Sequence, residues 1–267
     1  MRTIQNNLKP ALQFATRSAL TIVALVLPFT GEAKADQYQN CVALAAQDPD
    51  AAYDFALQWE NTDTTGGALH CGGIALMSLR LFDAAAERFE RAAALSSKIA
   101  DADRAVLFSQ AGDAWLAANN GAKARDAFSS GLHFLPKDQD LLFGRARAYD
   151  LLEAPADGLV DASSAISIAP ERVDFLALRA RFYRQLKQYD LAMADINAAL
   201  SAGADAIPVT LERGVVRYEQ GDLAGARADW QFVIDRDQRP NGAPGAAANV
   251  AARLIAEIDQ ESAATQP

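Results

Sequence analysis

The 267-residue chain is 51% hydrophobic but only 8% aromatic, and it carries a net charge of −9. This apolar content excludes a wholly disordered protein, and the length allows one large domain or an extended array. Alanine supplies much of the apolar surplus, and because alanine costs a helix least, the composition favours an all-α fold. The acidic balance argues against nucleic acid as a partner, since contacts to phosphates need clustered Lys and Arg.

The N-terminal segment has the pattern of a secretory signal peptide. Residues 1–17 contain three basic residues and no acid, residues 19–29 form an apolar run of 11 residues, and the sequence AKA precedes Asp36. This pattern predicts cleavage after Ala35 and export to the periplasm of a Gram-negative bacterium. An uncleaved membrane anchor is the alternative, but it needs roughly 20 apolar residues. Removing the segment takes away four positive residues and one negative, which moves the net charge from −9 to −12.

Two cysteines, Cys41 and Cys71, lie in the part of the chain that is predicted to be exported. An even number of cysteines in an oxidising compartment favours a disulfide. A bridge between them would close a loop of about 30 residues, which stabilises a fold by about 3 kcal/mol in the chain-entropy model. A metal site is a weaker alternative, because only His70 is adjacent in sequence. A catalytic thiol pair also stays open, although the spacing is unlike the C-x-x-C arrangement that lowers a thiol pKa.

A period of 34 residues runs through the chain. Small residues recur at this spacing, and a second small residue follows each of them by twelve; the two sets are Gly112, Ala146, Ala180, Gly214 and Ala124, Gly158, Ala192, Ala226. An earlier copy, with Gly73 and Ala85, lies 39 residues upstream of the first. Self-similarity at a fixed period indicates an array of structural repeats.

The repeated segments resemble the tetratricopeptide repeat. The best copy, FSQAGDAWLAANNGAKARDAFSSGLHFLP, has Gly112, Trp115, Ala124, Phe128 and Pro136 at the positions of the family pattern. The resemblance covers residues 66–240 as five units that start near 66, 105, 139, 173 and 207, although the last two units lack the terminal proline. It implies an all-α solenoid of stacked antiparallel helix pairs, a superhelix whose groove is lined by the first helix of each pair.

The ends of the array have their own predictions. Residues 36–65 are expected to form a degenerate helical hairpin, which a Cys41–Cys71 bridge would tie to the first clear repeat. Residues 241–260 have apolar residues at helical spacing and are expected to form the capping helix that covers the last repeat. The final residues, 261–267, are expected to form a flexible tail.

Three consecutive units carry an arginine beside the first small residue and an aspartate sixteen positions later. Because the two residues occur together or are both absent, we expect ion pairs between the two helices of one hairpin. The predicted pairs are Arg145 with Asp161, Arg179 with Asp195, and Arg213 with Asp229.

Arg147 and Arg181 directly follow the small positions of successive units, on the side that usually faces the groove in this family, and further polar residues are expected near them. The candidate groove residues are Arg147, Asp150, Arg181, Arg184, Glu212 and Tyr218. Arginines there could hold a carboxylate or an extended peptide. The alternative is a solvated helix face with no ligand, and the Lys and Asn clamp of peptide-carboxylate-binding family members is missing.

The sequence therefore predicts a non-enzymatic scaffold in the cell envelope that binds a peptide or partner protein in its groove. No catalytic set, metal cluster or cofactor motif can be argued from the residues, and no cofactor is expected. No membrane span is expected in the mature chain. Two alternatives remain: a self-associating structural module that forms a homo-oligomer, and an envelope enzyme or small-anion binder that uses the groove arginines.

Overall fold

The computed structural model describes residues 32–95, 99–203, 205–240 and 242–264, with side chains from Asp36 to Gln260. Nearly all of the predicted signal peptide lies outside these residues. The described residues form thirteen α-helices: α1 (Glu32–Gln47), α2 (Pro49–Glu60), α3 (Gly67–Ser78), α4 (Phe82–Leu95), α5 (Asp101–Ala117), α6 (Gly121–Phe134), α7 (Gln139–Leu151), α8 (Pro155–Ile168), α9 (Val173–Gln185), α10 (Tyr189–Ser201), α11 (Ala206–Glu219), α12 (Leu223–Arg236) and α13 (Ala246–Ala264). The predicted all-α class is confirmed.

The helices form two compact units, which divide between Pro170 and Glu171. The N-terminal unit contains α1–α8, and the C-terminal unit contains α9–α13. Inside each unit, every helix packs against the next one along the chain, as the stacked pairs of an α-solenoid do. The five predicted units begin at or within a few residues of α3, α5, α7, α9 and α11.

The turn inside each helix pair repeats one backbone feature. A residue with a positive φ angle lies between the two helices of every pair from α3 to α12: Arg80 (62°), Asn119 (60°), Glu153 (55°), Lys187 (59°) and Gly221 (88°). The last four of these residues are spaced by 34, as the sequence period requires. Left-handed backbone is easy only for glycine and, to a lesser degree, asparagine. The shared fold therefore imposes some strain at Arg80, Glu153 and Lys187.

The core between paired helices follows a rule of complementary size. Where the first small position is glycine, the residue sixteen positions later is aromatic, as in Gly112 with Phe128, and a Cβ added at Gly112 would lie 2.6 Å from Cζ of that ring. The same holds for Gly73 with Phe89 and for Gly214 with Trp230. Where the first position is alanine, the partners are Ala162 and Ile196, and both are buried. Glycine thus makes room for the ring on the second helix.

The N-terminal hairpin consists of α1 and α2. Asp48 accepts a hydrogen bond from the backbone N–H of Ala51 at 3.0 Å, and Pro49 occupies the first turn of α2. Tyr38, Cys41 and Trp59 are buried in one cluster with α3. The hairpin begins at Glu32 and its second helix ends at Glu60, so its helices lie a few residues upstream of the predicted segment.

The C-terminal helix α13 packs against α11 and α12. Val250, Leu254 and Ile258, spaced by four, are buried in a cluster with Trp230. The helix differs from the prediction at both ends, since it begins at Ala246 and continues to Ala264. Residues 261–264, expected in the tail, contain no glycine or proline that would stop a helix, and the last three residues lie outside the described part.

Candidate functional site

Each of the three arginine and aspartate pairs joins the two helices of one hairpin. Between α7 and α8, Nε and Nη2 of Arg145 donate to Asp161 at 2.7 and 2.8 Å. Between α9 and α10, Arg179 donates to both oxygens of Asp195 at 2.7 Å. Two parallel bonds of this type give a guanidinium a fixed direction as well as energy.

The pair between α11 and α12 has an additional member. Arg213 binds Asp229 at 2.7 Å through Nη2, and Nη1 of Arg217 donates to the same carboxylate at 2.8 Å. Asp229 is buried. Hydrogen bonding raises the pKa of Arg145 and of Arg179 in the other two pairs, so these arginines stay charged. The three pairs are structural contacts within the hairpins.

In the first clear repeat, the arginine between the two helices comes from the second helix of the pair. Gly72 stands where later units have arginine, and a Cβ there would meet Arg88 of α4 at 2.9 Å. Arg88 donates to Glu60 of α2 at 3.1 Å and lies 4.8 Å from the ring centre of Tyr53. This arginine therefore connects the N-terminal hairpin to the first repeat.

The arginines of the C-terminal unit form a buried charge network. Nε of Arg184 donates to Glu212 at 2.5 Å, and Nη1 donates to Glu219 at 3.1 Å. Nε of Arg181 lies 3.8 Å from the second oxygen of Glu212. Burial alone would lower the pKa of Arg184, but the charges and hydrogen bonds of the two glutamates outweigh it and raise that pKa. Burial also raises the pKa of Glu219, and Arg184 acts against this.

The expectation of an open groove in this unit is therefore corrected. Arg181 is 9% exposed, Arg184 8% and Glu212 4%. The physical reason is that α11 supplies glutamates that neutralise both arginines, so the side chains can be buried together. Tyr218 is also buried, and it packs against Trp230 with ring centres 6.1 Å apart.

The corresponding positions of the N-terminal unit are more open. Nη1 of Arg147 on α7 donates to Asp113 on α5 at 3.1 Å, and the two side chains are 35% and 42% exposed. Phe143 and Asp150 are half-buried, and each lies about one turn from Arg147 on the same helix, Phe143 before it and Asp150 after it. We call Asp113, Phe143, Arg147 and Asp150 the α5–α7 face. Asp113 was not among the predicted residues, although it lies 34 positions before Arg147 and the period could have found it.

The N-terminal hairpin has two further links to α3. The Cys41–Cys71 disulfide is present, with both cysteines buried. Next to it, the hydroxyl of Tyr38 lies 2.8 Å from Nδ1 of His70, and Nε2 of His70 lies 2.8 Å from Oε1 of Gln110 on α5. The sequence did not identify these two partners of His70, which lie 32 and 40 residues away along the chain.

None of the helices described here has both the length and the apolar content that a membrane span requires. The same part of the chain contains no group of three or more His, Cys, Asp or Glu side chains arranged to hold a metal ion.

No protein-family model matches the chain, and no curated protein matches it either. Solved structures do match. PilF of Pseudomonas aeruginosa superposes with a TM-score of 0.61 at 11% identity, over 85% of this chain and 100% of that chain. A tetratricopeptide repeat protein from Parabacteroides merdae gives 0.57 at 14% identity, over 93% and 90%. YrrB, described as a tetratricopeptide-repeat protein with an unusual peptide-binding site, gives 0.52 at 17% identity, over 69% and 91%. With these likenesses, the 34-residue period and the stacked helix pairs, the chain has the fold of the tetratricopeptide-repeat proteins.

Proposed function

We propose that the chain is a non-enzymatic interaction scaffold that binds a peptide or partner protein on the α5–α7 face. The observation that carries the proposal is the contrast in exposure between equivalent positions. Arg147 and Asp113 keep 35% and 42% of their side-chain surface exposed, whereas Arg181 and Arg184 are buried against glutamates. Of these four residues, only Arg147 and Asp113 have exposed side-chain surface with which to contact a partner.

The chemistry of this face suits a peptide better than a small anion. Arg147 already has a carboxylate partner in Asp113, so an anion would compete with an existing ion pair. A polypeptide can instead combine apolar contact with Phe143 and hydrogen bonds to the charged groups around it. The helices that carry these residues are held by their own packing, so little conformational entropy is lost on binding.

Two features support an exported location as part of the proposal. The first is the basic and then apolar pattern of residues 1–35. The second is the buried Cys41–Cys71 disulfide, because disulfides of this kind persist in oxidising compartments such as the periplasm.

The test compares two charge-reversal variants of matched exposure. Arg147→Glu changes the α5–α7 face, and Arg125→Glu changes a 39% exposed arginine on α6. Both proteins, expressed with an affinity tag, are purified from envelope fractions, and their thermal melting curves are compared. We expect Arg147→Glu to lose the bound partner while Arg125→Glu retains it, with both variants melting close to the wild type. If both variants recover the same partner equally, the partner does not bind the α5–α7 face.

A further inference from the structure

A line of hydrogen bonds joins three helices of the N-terminal unit through His70. Oε1 of Gln110 can only accept a hydrogen bond, so Nε2 of His70 carries the proton that it receives. Nδ1 is then unprotonated in the neutral ring, and it accepts from the hydroxyl of Tyr38. With the imidazole neutral, the line thus connects α1, α3 and α5 with every donor matched to an acceptor.

A second proton on His70 would have to go to Nδ1, where the Tyr38 hydroxyl now donates. The hydroxyl would have to turn its hydrogen away to accept instead. Both side chains are 1% exposed, so water cannot solvate the new charge. The nearest rings, Tyr38 and Phe89, have centres 5.8 and 5.6 Å from the imidazole centre. An imidazolium is therefore poorly accommodated while α1 stays in place.

The charged side chains on the surrounding helices interact elsewhere. On α4, Arg88 binds Glu60 and Tyr53 of α2, and Glu90 accepts from the indole of Trp115. On α5, Asp113 binds Arg147. On the hairpin itself, Asp36 and Asp54 are exposed.

These contacts leave burial as the main influence on His70. It lowers the pKa of His70 to about 4, and the hydrogen bond to Gln110 acts in the opposite direction. A histidine that is freed from this site titrates near its ordinary pKa of about 6.5.

We propose that α1 is a pH-sensitive cap, which separates from α3 when the surroundings become acidic, and that the Cys41–Cys71 disulfide keeps it tethered. Cys71 follows His70 directly, and Cys41 lies one turn beyond Tyr38, so the bridge stands beside the hydrogen-bonded line. With the disulfide intact, the opening stays local to the Tyr38 end of α1. Without it, the whole helix can leave.

The direction of the effect follows from the two protonation states. The open form binds a proton more readily than the closed form between pH 6.5 and pH 4, so the closed form loses stability as the pH falls through this window. With these two pKa values, the equilibrium constant for opening rises about 20-fold from pH 7 to pH 5. Above pH 7 it should be flat.

Hydrogen exchange read by mass spectrometry tests the proposal on the full chain. Exchange of residues 36–47 is measured at pH 7 and pH 5 and corrected for the intrinsic pH dependence of the chemistry. We expect about a 20-fold loss of protection at the Tyr38 end of α1, with α11 in the C-terminal unit unchanged as the internal reference. His70→Gln should abolish the change, and the control His133→Gln, at an exposed histidine on α6, should retain it. An unchanged α1 at pH 5, or a full response in His70→Gln, would overturn the proposal.

Two further measurements keep the proposal open to refutation if His70→Gln does not fold. In the wild type, the ring protons of His70 are followed by NMR, and their titration midpoint should lie near 4 or follow the opening of α1. A midpoint near 6.5 with α1 still closed would refute it. In the Cys41→Ala/Cys71→Ala variant, the loss of protection at pH 5 should spread over all of α1. A response confined to the Tyr38 end, as in the wild type, would exclude the role of the tether.

Discussion

Arg184 of α9 and Glu212 of α11 form a buried ion pair, in which Nε of the arginine donates to Oε1 of the glutamate at 2.5 Å. Both side chains are less than a tenth exposed. The contact joins the first helices of two successive repeats, and Glu219 adds a second carboxylate to the same guanidinium. These arginines therefore fasten one repeat to the next rather than face a ligand.

Removing Glu212 should be costly, because Arg184 would keep only Glu219, and Arg181 would lose the carboxylate that lies 3.8 Å from its Nε, while both arginines stay buried. We expect Glu212→Ala to lower the free energy of unfolding by about 3 kcal/mol. The measurement is urea denaturation, in which the unfolding of the helices of the C-terminal unit is followed. Asp174→Ala breaks the exposed pair with Arg172, whose side chains are 44% and 35% exposed, and should cost less than about 1 kcal/mol. Similar losses in the two variants would show that the network adds little.

The ring of Phe128 lies between two glycines of the flanking helices, Gly112 on α5 and Gly144 on α7. Gly112→Ala should gain about 1 kcal/mol from helix propensity. However, its methyl group would overlap the Phe128 ring, which also packs against Gly144 on the other side. Overpacking of this kind costs about 1–3 kcal/mol. We expect a net loss in stability on chemical denaturation. In a Phe128→Leu background the smaller side chain should make the same substitution neutral or favourable. A loss of equal size in both backgrounds would argue against the steric explanation.

The turn between α9 and α10 places Lys187 in left-handed backbone, with φ of 59°. Glycine relieves this strain, so Lys187→Gly should raise the free energy of unfolding by about 1 kcal/mol. The neighbouring Gln188 has φ of −91°, and Gln188→Gly should leave stability unchanged or slightly lower. Thermal melting of the two variants decides the question, and equal effects would exclude backbone strain as the cause.

The disulfide closes a loop with a sequence separation of 30 between Cys41 and Cys71. Loss of this constraint on the unfolded chain should lower the stability of the N-terminal unit by about 3 kcal/mol in the Cys41→Ala/Cys71→Ala variant. Hydrogen exchange can follow α3 and α11 together in this variant. Protection should fall in α3 and stay constant in α11, and a fall of equal size in both helices would mean that the disulfide acts on the whole chain.

Much of the fold could be predicted because the repeat places the same kinds of residue at fixed offsets. The small positions, the hairpin turns and the arginine and aspartate pairs are all separated by constant distances along the chain. A contact such as Arg145 with Asp161 lies within one unit, so periodicity alone locates it. The complementary sizes of Gly112 and Phe128 follow from the same offsets.

The groove was less predictable, because exposure depends on what neighbouring repeats contribute. Arg147 and Arg181 occupy equivalent positions, yet one is partly exposed and the other is buried. The difference follows from Glu212: the residue 34 positions before it is Leu178, which carries no charge, and Arg147 pairs with Asp113 instead. A contact of this kind joins the first helices of two successive repeats. Because the two repeats differ in sequence, neither repeat alone predicts the contact.

The central claim is that a partner polypeptide binds the α5–α7 face, and site-specific photo-crosslinking tests it most directly. A benzoylphenylalanine is placed at position 150 on this face and, in a second protein, at position 126 on α6, where Asp126 is 67% exposed. We expect a crosslinked partner from position 150 and none from the more exposed control, with the crosslink lost on Arg147→Glu. The same product from position 126, or none from position 150, would contradict the account.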